Sequence, residues 1–140
     1  QEGRGRPKSG PIDGEGRRSI YLAVRRNFLS PFLLAFDMPT PFSTVGKRTS
    51  SNVPAQALIL MNDPMVHVQA ERWAARLAGE SKSDESRVRT AYRQAFGRLP
   101  TAAEVEACRA YLSDAPGAPA ERWKDLCHSL FNVKEFSYLK

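Results

Sequence analysis

No run of about 18 uncharged apolar residues occurs in the chain, so no segment is long and apolar enough to span a membrane as a helix. The longest candidate, ALILM at 57–61, stops at Asn62. Histidine and cysteine are scarce, with two of each. There is no C-x-x-C-H, which excludes attachment of a c-type haem to this segment. His67 and His128 lie far apart in sequence, and Cys127-His128 is the only local pair. Adjacent helical residues point about 100° apart and rarely bind one ion together, so neither a metal nor any other cofactor is expected here. The hydroxyl residues Ser43, Thr49, Ser50 and Ser51 have no histidine near them in sequence, and no nucleophile is evident.

The Gly46-Lys47 pair does not make a phosphate-cradling loop. A Walker loop has Gly five positions earlier and Ser or Thr after the lysine; here those positions are Pro41 and Arg48. The chain opens with Gln1 and shows no signal-peptide core at its start. It reads as a segment of a longer protein.

What is present is a chain of 140 residues, 41 % of them apolar, enough for one domain with a real core. The net charge of +6 is unevenly spread. Residues 1–26 contribute +4 and the other 114 only +2. The excess sits in a Gly/Pro-rich leader, without the clustered basic surface that groove recognition requires, so nucleic acid is disfavoured as a partner. Residues 1–17 hold five Gly, two Pro and almost no apolar side chains. Such a composition buries too little to offset the entropy of ordering and reads as an extended or disordered leader. Residues 18–140 form the folded domain.

The signals in that domain are mainly helical. Alternation of Ile20, Leu22 and Val24 with Tyr21, Ala23 and Arg25 suggests a short strand, or a helix opening at Ser19. PFLLAF at 31–36 is too short to classify, and Pro31, Pro39 and Pro41 predict irregular structure up to about Asn52. Val53-Pro54 then reads as a first turn. Asn62-Asp63-Pro64 stops one helix and caps the next, which carries Val66, Ala70, Trp73, Ala74 and Leu77 and ends at Gly79. Val88, Ala91, Tyr92, Ala95 and Phe96 make a helical stripe ended by Gly97. Thr101-x-x-Glu104 is a capping box ahead of Val105, Cys108 and Leu112. After the break at Pro116, Gly117 and Pro119 comes a last stripe of Trp123, Leu126, Cys127, Leu130 and Phe131. The expected fold is a mainly α bundle of about five helices with an irregular, short-stranded N-terminal segment. Trp73, Tyr92, Phe96, Leu112, Trp123, Leu126, Leu130 and Phe131 are expected in its core.

The run from Arg17 onward resembles a domain of unknown function typical of large planctomycete and verrucomicrobial surface proteins. The landmarks are R-R-S-I-Y at 17–21, F-D-x-P at 36–39, G-K-R at 46–48, P-x-Q-A-L at 54–58 and M-N-D-P at 61–64. F-G-R-x-P-T at 96–101 and D-L-C-x-x-L-x-N-x-x-E-F at 125–136 continue it. The resemblance implies a C-terminal domain of an exported, periplasmic or cell-surface protein that often carries a planctomycete-type cytochrome c domain upstream. It carries over no catalytic residue.

Three functions are compatible with these residues. The first is a non-catalytic helical interaction module that docks on its missing upstream domain, or on a cell-surface protein or polysaccharide. The second is part of an enzyme, such as a polysaccharide-directed one, that uses Arg26, Asp37, Lys47, Arg48, Gln56 and Asn62. The third is a polyanion or sulfated-glycan binder that uses Arg17, Arg18, Arg25, Arg26, Lys47 and Arg48. The lack of a nucleophile, base or metal constellation favours the first. The segment 39–52 is expected to be ordered by hydrogen bonds, with Arg48 bonded to carboxylate or carbonyl groups, Asp37 among them. An exported domain permits a Cys108–Cys127 disulfide; the break at 116–119 puts the two residues at similar heights on neighbouring helices. A bridge, two touching thiols and no contact all remain open.

Overall fold

The structure, a computed structural model, describes residue 18, residues 29–39, residue 46, residues 54–80 and residues 83–137. The leader, the alternating stretch at 19–28 and most of 39–52, with Arg48, lie outside the described residues. Among those described there are seven helices and no strand.

Helix α1, Pro31–Ala35, forms where proline predicted irregular structure. Pro31 occupies the first turn, where its missing N–H is no loss, and Ser30 Oγ accepts from the Leu33 N–H at 3.5 Å. Helix α2, Pro54–Asn62, is followed after one residue by α3, Pro64–Glu80. Asp63 makes the junction: its N–H donates to the Ile59 carbonyl (2.9 Å), and its Oδ1 accepts from Met65 N–H (2.8 Å). Helix α3 runs through Gly79 rather than ending there.

Helix α4, Asp84–Phe96, is capped by Ser83 and closed by Gly97 at φ 69°. The capping box opens α5, Ala102–Asp114, as the sequence predicts; Thr101 N–H donates to Glu104 Oε2 at 2.7 Å. Helix α6, Pro119–Phe131, starts at Ala118, which has no side-chain oxygen, so Glu121 accepts the Ala118 N–H instead (3.2 Å). Across the turn, Arg122 donates to the carbonyls of Leu112 (2.7 Å) and Gly117 (3.1 Å), satisfying the end of α5. A short α7, Lys134–Ser137, which the sequence did not suggest, completes the described chain.

Helix α3 packs chiefly against α6, while α4 and α5 close the bundle. The buried cluster is formed by Ala70, Trp73, Ala74 and Leu77 of α3, Val88, Ala91 and Tyr92 of α4, Val105, Cys108 and Leu112 of α5, and Trp123, Leu126, Cys127 and Leu130 of α6. Six of the eight expected core residues are buried; Phe96 and Phe131 are half-buried at its edge. Phe131 stacks on Trp73 with ring centroids 5.2 Å apart.

The disulfide does not form: both cysteines are free and buried. They meet different neighbours. Cys108 hydrogen-bonds the Tyr92 hydroxyl of α4, whereas Cys127 faces α3, where it feels the charge of Arg76. Burial pushes the Cys127 thiol up to about 12 and raises Cys108 as well, so both stay protonated and unreactive.

Replacing Trp123 with Ala is expected to destabilise the domain by about 3–5 kcal/mol in denaturant unfolding, because it removes the largest side chain of α6's buried stripe. Gly97→Ala is expected to cost about 1–2 kcal/mol. Nothing lies within 4 Å of the added Cβ, so that loss reports the left-handed backbone alone.

Candidate functional site

Helix α2 has the sequence PAQALILMN, apolar around nearly its whole circumference, yet none of its nine residues is buried. A helix of that kind is ordinarily buried on every side. Here Ile59 and Leu60 are half-buried, while Leu58 is 58 % and Met61 54 % exposed. Three residues apart, Leu58 and Met61 share one face. Helix α1 packs beside α2 and adds Leu34, 39 % exposed, above a Phe32–Phe36 pair with centroids 5.0 Å apart. The α1–α2 flank is thus an open apolar surface on the side of a closed bundle.

The attachment of that flank is polar. The last carbonyls of a helix lack intrahelical partners. The Leu60 carbonyl finds one in His128 of α6, at 2.9 Å from Nε2; a carbonyl only accepts, so Nε2 carries the proton. The His67 ring of α3 lies on the His128 ring, with centroids 4.2 Å apart and planes inclined by 39°. The two histidines, 61 positions apart, therefore meet where α2, α3 and α6 converge. No group of three or more metal-capable side chains occurs among the described residues.

Of the residues singled out for an enzyme site, Arg26, Lys47 and Arg48 lie outside the described residues, as do Arg17 and Arg25 of the polyanion set. Arg18 is exposed. Asp37 sits exposed just past α1, with φ 58°. Gln56 is half-buried on α2, and Asn62 donates to the Leu58 carbonyl of its own helix at 2.7 Å. Six positions apart, Gln56 and Asn62 project from different sides of the helix and do not converge on a common point.

Arg98, from the F-G-R-x-P-T landmark, was not among the candidates but is the most heavily bonded side chain described. It forks onto Glu104 (2.7 and 2.9 Å) and onto Glu135 (2.7 and 2.9 Å), joining α4's end to α5 and α7. Its guanidinium also lies over the Tyr92 and Phe96 rings at 5.5 and 5.7 Å. Hydrogen bonds from Arg98, then from Thr101 N–H, hold the Glu104 carboxyl down to about 2, and Arg98 is raised in return. Burial pushes the Tyr92 hydroxyl up to about 12. The single guanidinium thus ties two carboxylates from different helices together and joins α4's end to α5 and α7.

A family model described as PSD1, protein of unknown function (DUF1553), matches residues 5–112. The chain belongs to this family. No curated protein and no solved structure matches it. The matched range includes the sequence landmarks at 17–21, 36–39, 46–48, 54–58, 61–64 and 96–101 but stops at Leu112. The landmark at 125–136, with α6 and α7, lies beyond it.

The Glu104 shift fixes the sign of an acid dependence. A carboxyl at about 2 in the fold and about 4.5 when free contributes stability in full above pH 4.5 and loses it as pH falls towards 2. Glu104→Gln is expected to lower the melting temperature at pH 7 and to flatten its decline between pH 4.5 and 2. The side chains are about a third exposed, so the neutral-pH loss is expected to shrink in high salt.

Proposed function

We propose that this domain is a non-catalytic docking module, whose α1–α2 flank seats on another part of its own polypeptide. The observation that carries this reading is the exposure of Leu58 and Met61 on a helix that is apolar all round. A contiguous exposed apolar surface marks an interaction site, because leaving it in water forfeits about 25 cal/mol for each Å² that a partner would cover. The polar residues fit the same reading: Arg98 and Asn62 are bonded within the domain and serve the fold. The resemblance to planctomycete surface proteins supports an exported location and an upstream companion, which a cytochrome c domain would suit.

The test compares the domain alone with the longest natural chain that contains it. Hydroxyl-radical labelling of Met61 is expected to be several-fold slower in the longer chain. A Leu58→Glu, Met61→Glu variant is expected to keep the helical circular-dichroism spectrum of the isolated domain while restoring fast labelling of Leu34 in the long chain. Equal labelling of Met61 in both forms would rule the docking out.

A further inference from the structure

His67 and His128 are the only histidines of the chain, and the fold brings them ring to ring from α3 and α6, with centroids 4.2 Å apart. His67 is exposed and His128 half-buried, so the pair is open to solvent. The Leu60 carbonyl accepts from His128 Nε2 at 2.9 Å, which fixes the tautomer of the neutral ring: the proton sits on Nε2 and the lone pair on Nδ1. Among the described residues, no hydrogen-bond partner occupies that Nδ1 or either ring nitrogen of His67. A backbone carbonyl on the far N–H is the usual outer support of a metal-ligating histidine, because it holds the ring in one orientation. Each ring thus keeps a free lone pair, on a seam between two helices that the core already holds together.

The geometry points to a binding site for a tetragonal divalent transition-metal ion, copper(II) above all, held by His128 Nδ1 and one ring nitrogen of His67. The ring spacing selects this class. At a metal–nitrogen distance of about 2.0–2.1 Å, the ion lies about 3.2 Å from each ring centroid. Ligands on adjacent tetragonal corners, about 90° apart, then set the centroids about 4.5 Å from each other, and tetrahedral ligands about 5.2 Å. The observed 4.2 Å lies nearer the tetragonal value, whereas a tetrahedral zinc ion would require the rings to part. Imidazole suits copper(II), which also stands at the top of the affinity order for divalent ions. No group of three metal-capable side chains occurs among the described residues, so water or a small anion takes the remaining positions. Such a site exchanges its ion, unlike a structural centre closed by four protein ligands. The α1–α2 flank is held through Nε2 of His128 and the ion through Nδ1, so either proposal can fail without the other.

The test titrates copper(II), buffered with glycine, into the intact chain and reads the bound ion by electron paramagnetic resonance. A tetragonal spectrum with spin-echo modulation from the remote nitrogens of two imidazoles is expected. With two histidines in the chain, that signal assigns both. His67→Gln leaves the Leu60–His128 bond in place; it is expected to weaken binding at least about tenfold and to leave modulation from a single imidazole. His128→Gln should weaken binding as much. An ion held across two helices favours the folded chain, so saturating copper(II) is expected to raise the melting temperature of the unsubstituted chain and not that of His67→Gln. The site is refuted if copper(II) at about 100 µM gives modulation from one imidazole or none in the unsubstituted chain. It is equally refuted if His67→Gln, folded by circular dichroism, binds undiminished. An unchanged melting temperature in the unsubstituted chain would also overturn it, since the ion would then bind folded and unfolded chains alike.

Discussion

The packing of α3 on α6 is the contact on which the other features hang. Ala70 and Ala74 are small enough to let α6 approach closely, and Trp73 and Leu77 fill the space beside them against Leu126, Cys127 and Leu130. Cys127 is wholly buried in that seam, so it behaves as a small apolar side chain with an inert thiol. Helices α4 and α5 close the remaining sides through Val88, Ala91, Val105 and Leu112. Among the described residues no buried side-chain polar atom is left without a partner. Against that closed packing, the exposed apolar surface of α2 is informative.

The placement of the α1–α2 flank derives from α3 and α6. Their upper junction holds His67 against His128 and, through the Leu60 carbonyl, carries α2 outward with Leu58 and Met61 uncovered. On another side of α3, Trp73 stacks with Phe131. One rigid pair of helices thus displays an apolar surface. Rigid elements suit display of this kind, since little ordering entropy is lost on binding.

The densest charged cluster joins helices. Arg98 bridges the carboxylates of Glu104 and Glu135, and Glu104 also caps α5. The family landmark that contains Arg98 is explained by helix joining: the left-handed turn at Gly97 delivers the guanidinium to carboxylates on two other helices. A half-exposed network of this sort contributes modestly at neutral pH and fails in acid.

Elements with local signals were legible from the residues alone. Thr101 with Glu104, Gly97 at the end of α4 and the stripes of α3, α4 and α6 could all be read, because caps and periodicity act within a few residues. Pro31 misled, since a proline that breaks a helix and one that opens it are distinguished only by the residues downstream. The Cys108–Cys127 bridge failed for a related reason. Height along two helices can be counted in residues, but rotation about each axis is set by the whole bundle, and it turns Cys108 to Tyr92 and Cys127 to α3. Folding in three dimensions was needed to bring His67 to His128 and to close Arg98 on Glu135. It also left the apolar helix α2 uncovered. Periodicity shows which side of a helix is apolar, but coverage depends on where distant helices lie, and that is settled only when the core packs.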